Sequence, residues 1–219
     1  MSDATDEHGF PAGFFRRTDE SPDTTFYVAD RFITHIDDAA IAAVGALYEH
    51  LRLTGRVLDI MSSWVSHFRT PPEELVALGM NARELAANGA ATARVVQDLN
   101  VDLVMPFPDG RFDAVTCCVS VDYLVRPIEV FREVRRVLVD GGLFVCAFSN
   151  RCFPTKAIHG WLASDDEGHC RIVTEYFRRA GGWSEPHAAL CTPPHFPSDP
   201  LYAVWAGAAT ESTRGSAPD

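Results

Sequence analysis

The chain has 219 residues, 47% of them hydrophobic, enough to bury one substantial core and to make a single domain the expectation. Its formal charge of −11 and pI near 5.1 oppose any partner held mainly through phosphates, which excludes nucleic acid and anionic lipid as principal ligands and favours a small-molecule substrate. No early segment joins a basic start to an apolar run, and no apolar stretch approaches ~20 residues, so a cytoplasmic protein without membrane contact is expected.

Met1–Asp23 is rich in Asp, Glu, Ser, Thr and Gly, and residues 210–219 are similar; both ends are expected to be flexible, with one domain over residues 24–209. Between Thr34 and Leu53 the apolar residues Ile36, Ala40, Ile41, Val44, Leu47, Tyr48 and Leu51 recur at helical spacing, and Gly55 ends the pattern. Arg56–Ile60 reads as a buried strand, Glu74–Gly79 as a strand, Asn81–Asn88 as a helix, and Arg94–Gln97 and Phe112–Val119 as strands. Pro127–Val139 is a helix opened by Pro and closed by Asp140-Gly141-Gly142. Leu143–Ser149 is a strand, Cys170–Ala180 a helix stopped by Gly181-Gly182, and His187–Thr192 and Leu201–Ala208 are the last strands. This alternation predicts an α/β, doubly wound, mostly parallel seven-stranded sheet, and the short link between the last two strands predicts an antiparallel edge. Ligands of such sheets lie beyond the carboxyl ends of the strands, which nominates the residues after Ile60, Gly79, Gln97, Val119 and Ser149.

The six cysteines, Cys117, Cys118, Cys146, Cys152, Cys170 and Cys191, form no disulfide framework and no C-x-x-C pair, so reduced thiols are expected. The run Asp165-Asp166-Glu167-Gly168-His169-Cys170 holds metal-ligand types at a spacing that fits no zinc or calcium loop. It reads as the acidic start of a helix, and no metal is expected.

The segment from Gln97 to Asn150 carries Met105-Pro106-Phe107-Pro108-Asp109-Gly110-Arg111-Phe112-Asp113, then a strand, a helix ending in Leu138-Val139-Asp140-Gly141-Gly142, and a further strand. With Val57–Ala208 around it, this run resembles the class I S-adenosylmethionine-dependent methyltransferases, whose fold is a Rossmann-like seven-stranded sheet. The loop Met61-Ser62-Ser63-Trp64 and the segment Asn150-Arg151-Cys152-Phe153-Pro154-Thr155-Lys156 resemble a small single-domain subgroup in which glycines are missing from the loop. The resemblance implies S-adenosylmethionine as cofactor and transfer of its methyl group to a small acceptor. Asp98 stands where the family accepts from the adenine amino group, with the Leu99 amide beside it; the plainer alternative is a turn cap. Asn81 stands where the family has an acidic ribose ligand, and is equally a helix N-cap.

The family pattern Asp-x-Gly-x-Gly-x-Gly falls on Asp59-Ile60-Met61-Ser62-Ser63-Trp64-Val65, so Met61, Ser63 and Val65 replace three glycines. Two outcomes fit. In one, a helix begins at Ser62 or Ser63, with Val65 already inside it, and its free amides hold the cofactor's carboxylate. In the other, Met61 and Trp64 fill the pocket and the protein is a catalytically silent, scaffolding relative. Two small polar residues are poor plugs for an apolar hole, which favours the first. Aminocarboxypropyl transfer from the same cofactor is a further alternative.

Asp59, Met61, Ser62, Ser63, Asn81, Asp98, Leu99 and Ser120 are therefore the candidate cofactor residues. Tyr27, Arg31, Tyr123, Asn150, Arg151, Cys152 and Lys156 are the candidate acceptor residues, with Phe26, His35 and Asp122 nearby. Arg151 and Lys156 would give that rim a local positive character suited to an anionic acceptor, Lys156 being alternatively a solvated helix residue. A thiol acceptor, ionised near neutral pH, would need no base. Tyr27, His67 and Tyr123 are the candidates for one, each with a structural alternative in core packing.

Overall fold

Seven strands build one sheet in the order β3-β2-β1-β4-β5-β7-β6 in the computed structural model, which describes residues 5–193 and 198–210. The strands are β1 Arg56–Ile60, β2 Glu74–Gly79, β3 Ala93–Val96, β4 Phe112–Cys118, β5 Leu138–Ser149, β6 His187–Leu190 and β7 Leu201–Gly207. β1 pairs parallel with β2 and β4, β2 with β3, and β4 with β5. β7 runs antiparallel to both β5 and β6, so the antiparallel strand lies one place in from the edge. β5 begins earlier than the sequence suggested, because Asp140-Gly141-Gly142 is absorbed into it with Gly141 at φ 78°.

The helices are α1 Asp23–Phe26, α2 Asp38–His50, α3 Ala82–Ala87, α4 Pro127–Val137, α5 His159–Leu162 and α6 Asp166–Ala180. Asp37 caps α2 by accepting from the Ala40 amide, and the face carrying Ala40, Val44, Leu47 and Tyr48 packs on Val57, Leu75, Ala114 and Val145. On the opposite sheet face, Phe131 and Val134 of α4 meet Tyr176 and Phe177 of α6 over Phe144 and Cys146. The acidic run at 165–170 is indeed a helix start: Asp165 accepts from the Gly168 amide, and His169 pairs with the Trp161 carbonyl.

Two expectations fail. No helix joins β1 to β2; residues 61–73 form an irregular loop that packs back on α2, with Phe68 4.6 Å from the Tyr48 ring and Arg69 donating to Glu49 and the Ala42 carbonyl. Pro71 and Pro72 close this stretch and disfavour helix before them. The segment before residue 23 is not free either. Phe10 is buried in the main core among Phe14, Phe15 and Tyr176. Arg17 makes two 2.8 Å bonds to Asp23, and Lys156, fully buried, binds Asp19 and Asp23 at 3.1 and 3.2 Å and the Ser21 carbonyl at 2.7 Å. A buried ammonium needs such partners, and the N-terminal segment supplies them. Residues 1–4 and 211–219 lie outside the described residues.

A 3₁₀ turn, Val121–Tyr123, follows β4 and buries the Asp122 carboxyl, whose Oδ2 has no hydrogen-bond partner. Desolvation pushes this acid from 3.8 up to about 8. Between about pH 4 and pH 8 the unfolded chain loses this proton while the folded chain keeps it. Stability should therefore fall with rising pH by about 1.4 kcal/mol per unit across that window and level off outside it. Chemical denaturation of wild type and Asp122→Asn across this range should show the variant gaining relative stability as pH rises; a difference independent of pH would contradict this.

Candidate active site

The carboxyl ends of β1 to β4 open onto one cleft of about 1140 Å³, counting its solvent-facing part, closed from above by residues of the N-terminal segment including Tyr27, Arg31 and His35. All eight candidate cofactor residues line it, and Tyr27, Arg31, Tyr123 and His67 join them.

Side-chain hydrogen bonds hold the loop after β1 in place of a helix. Asp59, at the end of β1, is 3% exposed; its Oδ2 accepts from Ser62 and Ser66 at 2.6 and 2.7 Å, and its Oδ1 from Thr116 of β4 at 2.7 Å. Burial raises this acid and the three hydroxyls oppose the rise. Ser63 donates to Glu84 of α3 at 2.5 Å, and the buried Asn88 amide donates to the Ser63 carbonyl and the Ser66 hydroxyl. The Ser62 amide donates to the Leu78 carbonyl, and its own carbonyl crosses Gly79 so closely that a Cβ there would lie 2.1 Å from it. Gly79 is thus required by the loop's approach to β2.

The glycine-free loop meets the conformational demand at Met61, φ 52°, and again at His67, φ 55°. Ser63 and Val65 keep ordinary φ, so the difficulty expected for Val65 does not arise. His67 sits in the loop rather than on a helix. Met61 packs against the core, and the Trp64 indole bridges to the N-terminal segment by donating to the Ile33 carbonyl at 3.0 Å. Both residues line the cleft. The backbone N–H groups of Ser63, Trp64 and Val65 donate to no acceptor among the described residues, so the loop offers free amides although no helix begins there.

At the other end of the cleft, Asp98 accepts from the Asn100 amide through Oδ1, as a turn cap does, and burial raises its pKa above the usual carboxylate value. Its Oδ2 carries no bond within the protein, beside the buried Leu99. Asn81 is fully committed: its Oδ1 accepts from the Arg83 and Glu84 amides, and its Nδ2 donates to the Tyr27 carbonyl and Asp30. The N-cap alternative is the one realised, and no hydrogen-bonding capacity remains for a ribose.

Four candidate acceptor residues lie off the cleft. Asn150 is exposed. Arg151 pairs with Asp199 at 2.7 Å, and Lys156 is enclosed by the N-terminal segment, so neither forms a positive rim. Cys152 is partly buried, and desolvation lifts its thiol to about 11. Phe153 lines the cleft instead, its amide donating to the Tyr123 hydroxyl at 2.8 Å. Burial, reinforced by Asp122, raises both Tyr27 and Tyr123, so neither is a base near neutral pH. Burial lowers both His35 and His67, leaving neutral imidazoles with no hydrogen-bond partner in the protein. Ser120 turns its hydroxyl to the Cys118 carbonyl at 3.0 Å. Sequence reading passed over Glu84 and Asn88; the Asn81-x-x-Glu84 spacing of a capping box was the available signal for the first.

Residues 54–146 match the model of a family described as a methyltransferase domain. Among solved structures, an S-adenosylmethionine-dependent methyltransferase from Aquifex aeolicus is 14% identical with a TM-score of 0.56, covering 79% of this chain and 95% of its own. A possible histamine N-methyltransferase from Thermotoga maritima is 16% identical with a TM-score of 0.56, covering 78% and 88%. An S-adenosylmethionine-dependent methyltransferase from Mesorhizobium loti is 16% identical with a TM-score of 0.51, covering 74% and 97%. No curated protein sequence matches the chain. Residues 54–146 are similar to a methyltransferase domain, and the likeness to the solved structures is one of fold; the cofactor that the sequence resemblance implies is S-adenosylmethionine. The donor set fits that molecule: free loop amides for a carboxylate, and an unengaged carboxylate oxygen at Asp98 for an amino group.

Because an amide nitrogen cannot accept, Asp59→Asn must leave at least one of three hydroxyls without its partner. Urea unfolding at pH 7 should show a loss of about 1–3 kcal/mol. A change under about 0.5 kcal/mol would mean that Asp59 does not hold the loop.

Proposed function

We propose that the protein is an enzyme that methylates a small molecule, carried by one observation: residues 63–65, with free backbone donors, and Asp98, with an open acceptor, line the same cleft. When bound, the cofactor supplies a sulfonium methyl group open to in-line attack. Loop amides hold its amino-acid end, and Asp98 with the Leu99 amide holds its adenine. Tyr27, Tyr123 and Phe153 wall the acceptor side, where the Tyr123 hydroxyl, already accepting from the Phe153 amide, keeps its own proton to donate. His67 or His35, neutral and unpartnered, takes the proton that an O–H or N–H acceptor releases. Orientation and exclusion of water under the N-terminal segment supply the remaining acceleration.

The acceptor in this reading is a small, largely apolar or aromatic molecule. The charges of Arg151 and Lys156 are matched within the protein, and an anionic acceptor would instead meet Arg31, which lines the cleft and whose guanidinium, among the described residues, donates only to the Phe26 and Ala29 carbonyls. A thiol acceptor stays compatible with the site, since it needs no base. No helix among the described residues is long and apolar enough to cross a membrane. In this reading the enzyme is cytoplasmic, and its acidic charge supports partners other than nucleic acid or an anionic membrane.

Isothermal titration of the protein with S-adenosylhomocysteine should give micromolar binding, weakened about tenfold by Asp98→Ala. Absence of heat at high protein concentration would favour the catalytically silent reading, and an acceptor gaining an aminocarboxypropyl mass rather than a methyl would favour the alternative transfer.

A further inference from the structure

All four hydrogen-bonding positions of Asn81 are occupied within the protein, so the residue at the family's ribose position has nothing to offer a diol. Displacing a diol-reading role onto Asn81 would break the cap of α3 or the tether to Tyr27 and Asp30. Another group must then meet two hydroxyls at the middle of the cleft, between the Asp98 end and the loop amides.

Glu84 is one helical turn further on and lines the same cleft. Its carboxylate accepts once at each oxygen, from the Arg31 amide at 2.7 Å and from the Ser63 hydroxyl at 2.5 Å. Two oxygens offer about four acceptor positions, so two are unused. The side chain is 7% exposed and fixed from both sides, by the N-terminal segment and by the loop. The Ser63 hydroxyl directs its O–H at Glu84, which leaves its oxygen free to accept.

Resting on the cofactor reading above, we infer that Glu84, with Ser63, is the ribose-reading group of this protein, moved one turn along α3 from the family's usual place. One carboxylate thereby orders the loop, anchors the N-terminal segment and recognises the nucleoside. The methyl-donor loop and the closing segment are both coupled to the presence of a ribose.

The test is calorimetric and needs no turnover: S-adenosylhomocysteine and its 2′-deoxy and 3′-deoxy analogues are titrated into wild type and Glu84→Gln. Wild type should lose about ten- to a hundredfold in affinity on removal of at least one hydroxyl, as expected for a hydrogen bond to a charged acceptor. Glu84→Gln should bind the parent nucleoside at least about tenfold more weakly and discriminate much less among the three ligands. A variant that binds the parent as wild type does, or that keeps the full discrimination, overturns the assignment. So does a wild type indifferent to both deoxy analogues, a result independent of whether the variant folds. Wild type that binds none of the three refutes the cofactor reading itself, and this inference with it.

Discussion

The Asp59 carboxylate, buried at the end of β1 and accepting three hydroxyl protons, is the interaction on which the site depends. A glycine-rich turn leading into a helix holds its shape through backbone freedom and helical hydrogen bonds. This chain has neither, so the loop's shape is fixed by side chains: Ser62 and Ser66 on Asp59, Ser63 on Glu84, and Asn88 on Ser63 and Ser66. Burying a carboxylate is unfavourable, and only the full set of donors makes it tolerable. The arrangement stands or falls as a network.

That network reaches beyond the loop. Glu84 joins it to the Arg31 amide, and Asn81 joins α3 to Tyr27 and Asp30, so the N-terminal segment is tied to the loop through α3. At its other end the segment is fastened by Lys156, Arg17 and Asp23, with Asn100, in the turn after β3, donating to both Asp23 and the Tyr123 carbonyl. Charges that would otherwise form an open rim for an anionic acceptor are consumed in this fastening. The cleft beneath the segment is lined by Tyr27, Tyr123 and Phe153, with two neutral imidazoles, tyrosines held protonated by their surroundings, and the Arg31 guanidinium.

Where periodicity and end signals agreed, the sequence was sufficient: β1 and β2 fall on the expected residues, and α4 opens at Pro127 as its proline implied. The missing helix after β1 was harder to see, because family likeness argued for it and local chemistry against it. Ser62-Ser63, then Pro71-Pro72, leave little chain for a helix and favour side-chain-stabilised turns. The N-terminal segment misled through composition. Its polar residues suggested freedom, while Phe10, Phe14 and Phe15, spaced for no regular element, supply the burial that docks it. Lys156 shows the same limit: a lysine in the segment after β5 reads as a rim or solvated helix residue until the chain far from it in sequence brings Asp19 and Asp23 over it.

The proposed function needs a helix-free loop to present its amides to the amino-acid end of the cofactor. Amide chemical shifts of Ser63, Trp64 and Val65, followed while S-adenosylhomocysteine and then 5′-methylthioadenosine are added, test it most directly. The account requires large shifts with the first ligand and much smaller ones with the second, which lacks the carboxylate. Equal responses to both, or stationary amides under saturating S-adenosylhomocysteine, would contradict it.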